Sequence, residues 1–431
     1  MLTKLFGFNP SITTIRREII AGVTTFLTMS YILAVNPSIF GKLDGMPQGA
    51  VFTSTAIAAI IGCLAMAFIG KLPFGLAPGM GLNAFFVYSV CLGMGYSWQF
   101  ALTAVLIEGL LFILLTLTNV REAIVNAIPI SMRNAIGAGI GLFIAFIGLE
   151  SAGVIVSNEN TLVTLGNITS GPALIAFIGI LVTSLLYAKK FPGAILVGIL
   201  TTTIISIPMG EAEYNGILSK PDSIAPIFCK FEFDKIFTLD MLVVVFTFMF
   251  IDMFDTVGTL IGVCTKARMI NKDGKIARIN QALLADSVAT TAGAFLGTST
   301  TTTYVESAAG VAQGGRSGIT ALVVGVCFAI SLFFSPLFLS IPAAATAPAL
   351  VIVGLLMLEP IRSIPFNDFS EAIPAFICII MMPLTYSISN GITLGLTTYV
   401  LLNLILGNVR KISPTMAILA VLFILKFTFF Q

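Results

Sequence analysis

Apolar runs, each closed by charges or by Gly and Pro, recur from one end of the chain to the other. They predict spans at 18–38, 48–70, 74–94, 97–119, 132–150, 172–189, 192–208, 240–264, 279–296, 299–313, 317–336, 340–358, 370–384 and 388–407. A further apolar run covers 413–430. A helix needs about 20 such residues to cross a bilayer. The runs are continuous rather than alternating, which excludes a β-barrel. The expected fold class is an all-α polytopic membrane protein with fourteen transmembrane segments.

Basic residues fall on one side of this arrangement. With the N-terminus inside, Lys4, Arg16, Arg17, Lys71, Arg121, Arg133, Lys189, Lys190, Lys266, Arg268, Lys272, Lys275, Arg278, Arg316, Arg362, Arg410 and Lys411 lie on the inner side. The outer loops hold only Lys42, Lys220, Lys230 and Lys235. That asymmetry predicts a cytoplasmic N-terminus, since a miscounted segment scrambles the sides beyond it. The long outer connection 209–239 separates two sets of seven segments, 1–208 and 240–407, and leaves 408–431 as a hydrophobic tail. Seven is odd, so a duplicated unit enters the membrane inverted. Segment 7, FPGAILVGILTTTII, is similar to segment 14, SNGITLGLTTYVLL, and segment 5, GIGLFIAFIGLE, to segment 12, ALVIVGLLMLEP. Inverted repeats point to a transporter with its site near mid-membrane, where broken helices meet.

The third member of each repeat departs from the pattern. Segment 3 begins LPFGLAPGMGLNAFF (72–86), and segment 10 reads GTSTTTTYVESAAG (297–310). Pro73 and Pro78 lack donors, while Gly and β-branched Thr favour extended backbone. Extended backbone at membrane depth survives only inside protein or along a cavity. Each segment is therefore expected to be a short strand plus a half-helix. The two strands are expected to pair, and the half-helix N-termini to face the cavity.

Composition restricts the chemistry. The chain is 57% hydrophobic and 10% charged, with a mean hydropathy of +1.04. It has no His, so proton chemistry has to run on carboxylates. Cys63, Cys91, Cys229, Cys264, Cys327 and Cys378 have no motif spacing and read as packing residues. The opening MLTKLFGFNPSITTIRREII lacks an apolar core with a small-residue cleavage site, so no signal peptide is expected. Nothing suggests an enzyme, a cofactor, a metal or a phosphate loop.

Acids inside the spans stand out, because each costs about 2.5–3.5 kcal/mol on insertion scales. Asp252 and Asp255 in segment 8 share one helix face, about 60° apart. Glu108, Asp286 and Glu306 lie in segments 4, 9 and 10. Asp252 reads equally as a brace for Asp255, and Glu108 as a protonated acid bonded between helices. Asp286 reads equally as half of an ion pair with the basic 266–278 loop. The threonines of segment 10 have a plainer reading too, as hydroxyls bonded back to their own helix.

Four stretches, MSYILAVNPSIF, GLAPGMGLNAFF, DMFDTVGTLIGV and TSTTTTYVESAAGVAQGGRSG, resemble the azaguanine-type purine permeases of the nucleobase transporter superfamily. The likeness covers nearly the whole chain. It implies the 7+7 inverted-repeat fold with a core domain (18–119 and 240–336) moving against a gate domain (132–208 and 340–407). Asp255-Thr256-Val257-Gly258 is similar to the superfamily's acid–x–x–Gly pattern, whose acid binds the base. Thr302, Thr303, Tyr304 and Glu306 match its segment 10 pattern. Thr259 stands where the uracil permease carries a His, a departure that bears on the proton path. The resemblance implies import of adenine, guanine or hypoxanthine by proton symport across the inner membrane, and a homodimer through the gate. Substrate-binding residues are then Asp255, Glu306, Asn83, Gly81 and Thr303, and proton-coupling candidates are Glu306, Asp255, Asp252 and Glu108. The competing reading is an anion transporter or channel on the same 7+7 plan.

Overall fold

Hydroxyl groups bend the first apolar run into two helices. α1 (Leu2–Phe6) precedes it, and the run itself forms α2 (Ile15–Met29) and α3 (Ile32–Phe40), where one span over 18–38 was expected. Thr24 donates to Ile20 O at 2.9 Å and Thr28 to Thr25 O at 2.8 Å. Such back-bonding bends helices. At the break, Leu33 N bonds Ser30 O and Ala34 N bonds Tyr31 O, the tighter three-residue spacing of a 3₁₀ turn. The computed structural model describes residues 2–118, 128–191, 193–214, 216–266, 269 and 278–429. Arg121, Arg268, Lys272 and Lys275 lie outside the described residues, as does most of the loop expected to pair with Asp286.

The chain continues through α4 (Gln48–Ala65), β1 (Leu76–Pro78), α5 (Met80–Ala84, extended by a π-helical stretch to Gly93), α6 (Trp98–Leu117) and α7 (Ile130–Ser151). A hairpin, β2 (Ile155–Asn158) with β3 (Leu162–Leu165), then joins α7 to α8 (Gly171–Ala188), where only a loop was expected. After α9 (Ala194–Ser206) come α10 (Leu239–Lys266), α11 (Ile279–Leu296), β4 (Thr301–Thr303) and α12 (Ser307–Ala312). The remainder is α13 (Gly318–Ser331), α14 (Ser335–Leu339), α15 (Ala343–Met357), α16 (Phe369–Leu384), α17 (Ile388–Ile405) and α18 (Pro414–Phe429). Eight helical stretches among the described residues are long and apolar enough to cross a membrane, and the protein is a multi-pass membrane protein.

Packing divides the helices into two groups. The first holds α2–α6 with α10–α14, and the second α7–α9 with α15–α17. Within the second, α7 and α15 cross at glycine. A Cβ on Gly354 lies 2.4 Å from Gly141 O, and one on Gly141 lies 2.6 Å from Gly354 O, so only bare backbone fits. Small residues let membrane helices approach in this way. The 209–238 connection is fastened over the first group, with Ile227 fully buried and Cys229 N bonded to Phe295 O at 2.9 Å. Trp98, 9% exposed, packs at the start of α6 against Gly45, whose φ is +85°. The tail helix α18 lies along α17, and its Phe423 ring meets Phe246 of α10 with centroids 6.2 Å apart.

Glu18 joins α2 to the start of α13. Its fully buried carboxylate accepts from Arg316 N at 3.0 Å, Ser317 N at 3.3 Å and the Thr320 hydroxyl at 2.5 Å. It satisfies two backbone donors just ahead of the helix and one hydroxyl in its first turn. Glu18→Ala strands these groups in the interior, and the expected loss is roughly 2–4 kcal/mol. A thermal-stability assay of the detergent-solubilised protein measures it; an unchanged midpoint removes the bracing role of Glu18.

Candidate functional site

Two extended pieces cross in the first group. β1 and β4 pair antiparallel, with Leu76 opposite Thr303, Ala77 opposite Thr302 and Pro78 opposite Thr301. Gly79 N to Thr300 O and Tyr304 N to Gly75 O, both at 3.0 Å, extend the ladder at its two ends. A two-stranded ribbon is marginal alone, and here neighbouring helices hold it. Thr290 of α11 donates to Thr301 O at 3.1 Å, and the Cys63 thiol of α4 contacts Leu76 N at 3.4 Å. Gly75 N donates to the Ser307 hydroxyl at 3.0 Å, fixing the start of α12 against β1.

Glu306 occupies the N-cap position of α12 and is 9% exposed. The Tyr31 phenol donates to its Oε1 at 2.7 Å. Asp255 comes from α10 and is only partly buried. Its Oδ2 lies 3.8 Å from where a Gly79 Cβ would sit, so it faces the junction of β1 and α5. No described residue gives it a hydrogen bond, and it is close enough to Glu306 for the two charges to interact. The arrangement is two carboxyl groups beside a hydrogen-bonded crossing, one held by a phenol and the other open.

The other expected residues take different places. Asp252 is fully buried one turn behind Asp255, and the Thr256 hydroxyl lies 3.0 Å from its Oδ1. The same hydroxyl lies 3.2 Å from Asp286 Oδ2 and 2.6 Å from the Thr302 hydroxyl, so Asp286 joins this network. Glu108, fully buried on α6, accepts from the Thr300 hydroxyl at 2.6 Å and braces the approach to β4. Asn83 is fully buried, and its amide oxygen accepts from the Ser299 hydroxyl, which ties α5 to the same approach. Gly81 marks a contact between the two groups: a Cβ there lies 2.7 Å from Ile140 Cγ2 of α7.

Thr303 differs from its neighbour Thr302. Successive strand residues face opposite ways. Thr302 meets Thr256 and the Gly79 position, whereas Thr301 meets Gly62 and Gly293. Thr303 shares the Thr301 face and points away from Asp255. Thr302 is the threonine on the acid side.

Sequence reasoning missed Tyr31, and it placed Thr256, Thr302 and Tyr304 in the matched patterns without giving any of them a role. Tyr304 donates to Pro78 O at 2.6 Å and holds the crossing from the β4 side. The available signal for Tyr31 was a phenol in mid-run beside the hydroxyls of Thr24, Thr25, Thr28 and Ser30. An open cavity lined by Lys42, Gln48, Glu211 and Glu213 lies elsewhere, between α3, α4 and the 211–213 stretch, and includes none of these acids.

Comparison with known proteins matches residues 16–394 to a permease family. The guanine/hypoxanthine permease PbuG of Bacillus subtilis is 47% identical over 100% of this chain and 100% of its own length. The adenine permease AdeP of Escherichia coli is 43% identical over 100% of this chain and 96% of its own. Among solved structures, the transmembrane domain of the cyanobacterial bicarbonate transporter BicA superposes with a TM-score of 0.66 at 17% identity, covering 87% of this chain and 97% of that one. SLC26A9 gives 0.65 at 13% identity, covering 93% and 68%. Identities this low establish a shared fold alone.

Proposed function

Since the chain belongs to this permease family, and within it to the azaguanine-type purine nucleobase permeases, we propose that it imports adenine, guanine or hypoxanthine by proton symport. The observation that carries the reading is the open Asp255 carboxyl facing the β1–α5 junction, with Glu306 on the neighbouring half-helix. A purine is a flat, neutral ring system with N–H donors along its edges. Carboxylates accept such donors, and hydrogen bonds to a charged partner are about twice as strong as neutral ones.

Proton coupling follows from the same groups. With no His in the chain, a carboxyl in this site is the group able to take up and release a proton during the cycle. Asp255 and Glu306 share that duty, with Asp252 behind them. The proposed topology is fourteen spans as two inverted sevens, in the inner membrane with the N-terminus cytoplasmic. The first helix group is the core and the second the gate, and the core rocks or slides against the gate. Gly81 against Ile140 lies on that boundary.

An anion transporter on the same fold is the second reading, favoured by the likeness to a bicarbonate transporter. Two acids beside the crossing oppose it, because each repels an anion. Uptake of labelled adenine, guanine and hypoxanthine, run with a competition panel at two pH values, separates the readings. Saturable uptake is expected, with accumulation collapsing when a protonophore is added. Accumulation indifferent to the protonophore removes the symport; chloride or bicarbonate flux without purine uptake removes the whole proposal.

A further inference from the structure

Tyr31 sits at the break between α2 and α3 with its ring 1% exposed. The two helices grip the β4–α12 unit at both ends. On the α2 side, Ala21, Thr25 and Thr28 recur every three or four residues and so share a face. A Cβ on Gly310 of α12 lies 2.1 Å from the Thr25 hydroxyl and 2.4 Å from Ala21 O, and the Thr28 hydroxyl reaches Glu306 O at 3.4 Å. Beyond the break, the Asn36 amide donates to Thr298, just ahead of β4, at 3.3 Å and to Thr55 of α4 at 2.6 Å. The Tyr304 ring, 6.4 Å from that of Tyr31, is itself fastened to Pro78 O. Tyr31 therefore has a fixed reach, and that reach ends on Glu306 Oε1.

We propose that Tyr31 is a positioning residue that occupies one oxygen of the Glu306 carboxylate, so that Glu306 offers the purine one oxygen free of that bond. The proposal rests on the reading of Glu306 as a binding acid. A free carboxylate presents two oxygens and can accept a pair of N–H groups side by side. With Oε1 bonded to the phenol, Oε2 is the oxygen left to a purine N–H, and a side-by-side pair of donors meets a carboxylate that already has one oxygen engaged. Asp255, which no described residue bonds, keeps both oxygens and can take two. The pair then selects a base by where its donors lie: a lone ring N–H toward Glu306, and one or two N–H groups toward Asp255. Alkylating the lone ring nitrogen removes the donor that Glu306 reads.

The test is Tyr31→Phe in the full-length chain, with uptake kinetics for labelled hypoxanthine and equilibrium binding to the purified protein. Loss of a hydrogen bond that orients a charged group predicts a KM about tenfold higher, with Vmax within roughly twofold of the parent. Discrimination against N-methylated purines should weaken, because the freed oxygen accepts in other directions. In binding, Tyr31→Phe should add little to the defect of Glu306→Gln, as groups acting through one another are not additive. An unchanged KM, a fall confined to Vmax, or additive defects each overturn the proposal. If Tyr31→Phe does not reach the membrane, 3,5-difluorotyrosine at position 31 keeps the ring and hydroxyl while making a more acidic donor. A changed KM there supports the role, and an unchanged one overturns it. Parent-like binding by Glu306→Gln sinks the reading of the site itself. Parent-like binding by Tyr31→Phe beside a defective Glu306→Gln sinks only the role of Tyr31.

Discussion

Asp255→Asn and Glu306→Gln each lower purine uptake about 100-fold or more, while the protein still reaches the membrane in normal amount. The size follows from the chemistry of the exchange. An amide keeps the shape of the carboxyl but presents one acceptor where there were two, and adds a donor that faces a purine N–H. It also carries no proton through the cycle. A charge-assisted hydrogen bond is worth about 1.5–3 kcal/mol, so one lost bond accounts for roughly ten- to hundredfold in binding. Loss of coupling supplies the rest. Asp252→Asn should do less, because Asp252 is buried behind Asp255 and bonded to the Thr256 hydroxyl. Initial-rate uptake of labelled adenine and hypoxanthine, normalised to surface protein, measures all three. Two acid variants that both transport at the parent rate leave no place for the site described here.

Gly310→Ala should cost the protein both stability and transport. The new methyl group meets the Thr25 hydroxyl at 2.1 Å and the Ala21 carbonyl oxygen at 2.4 Å. The first of these is a short, β-branched side chain and the second is backbone, so neither yields without moving α2 or α12. Overpacking of this kind costs about 1–3 kcal/mol. The displaced helix is the one that begins at Glu306. Gly137→Ala is the matched control, since a Cβ there meets nothing within 4 Å and the helix gains up to about 1 kcal/mol in propensity. Thermal-aggregation midpoints of the two solubilised variants should move in opposite directions. Equal midpoints for Gly310→Ala and the parent show that α2 and α12 do not need their close approach.

Much of the architecture was legible because a bilayer punishes ambiguity. Runs such as 98–117 and 130–151 are long, apolar and bounded, and each is a helix. The Thr run was expected to be extended before a short helix, and Thr301–Thr303 and Ser307–Ala312 have those conformations. The break at Ser30–Tyr31 was hidden because neither Gly nor Pro marks it. Its cause is several hydroxyls, any one of which is ordinary in a helix. The β2–β3 hairpin was overlooked although IVSNENTLVTL carries short β-branched stretches around an Asn-rich turn. Within the site, the acids were readable from the expense of burying them. Which way their neighbours point was not. Thr302 and Thr303 are indistinguishable by type, and only the strand register turns one toward Asp255. Asn83 is a polar group at the right depth, yet its amide oxygen accepts from Ser299.

Trp98 is the sole tryptophan in the chain, and it packs against the Gly45 turn, which joins two helices of the first group. The protein thus has a built-in, single-site fluorophore that needs no label. The Trp98–Gly45 contact is expected to stay constant when one helix group swings as a rigid body against the other, and to change when the first group itself deforms. The emission spectrum of Trp98 on adding purine therefore separates a rigid swing from an internal bend, a distinction that transport rates alone do not make.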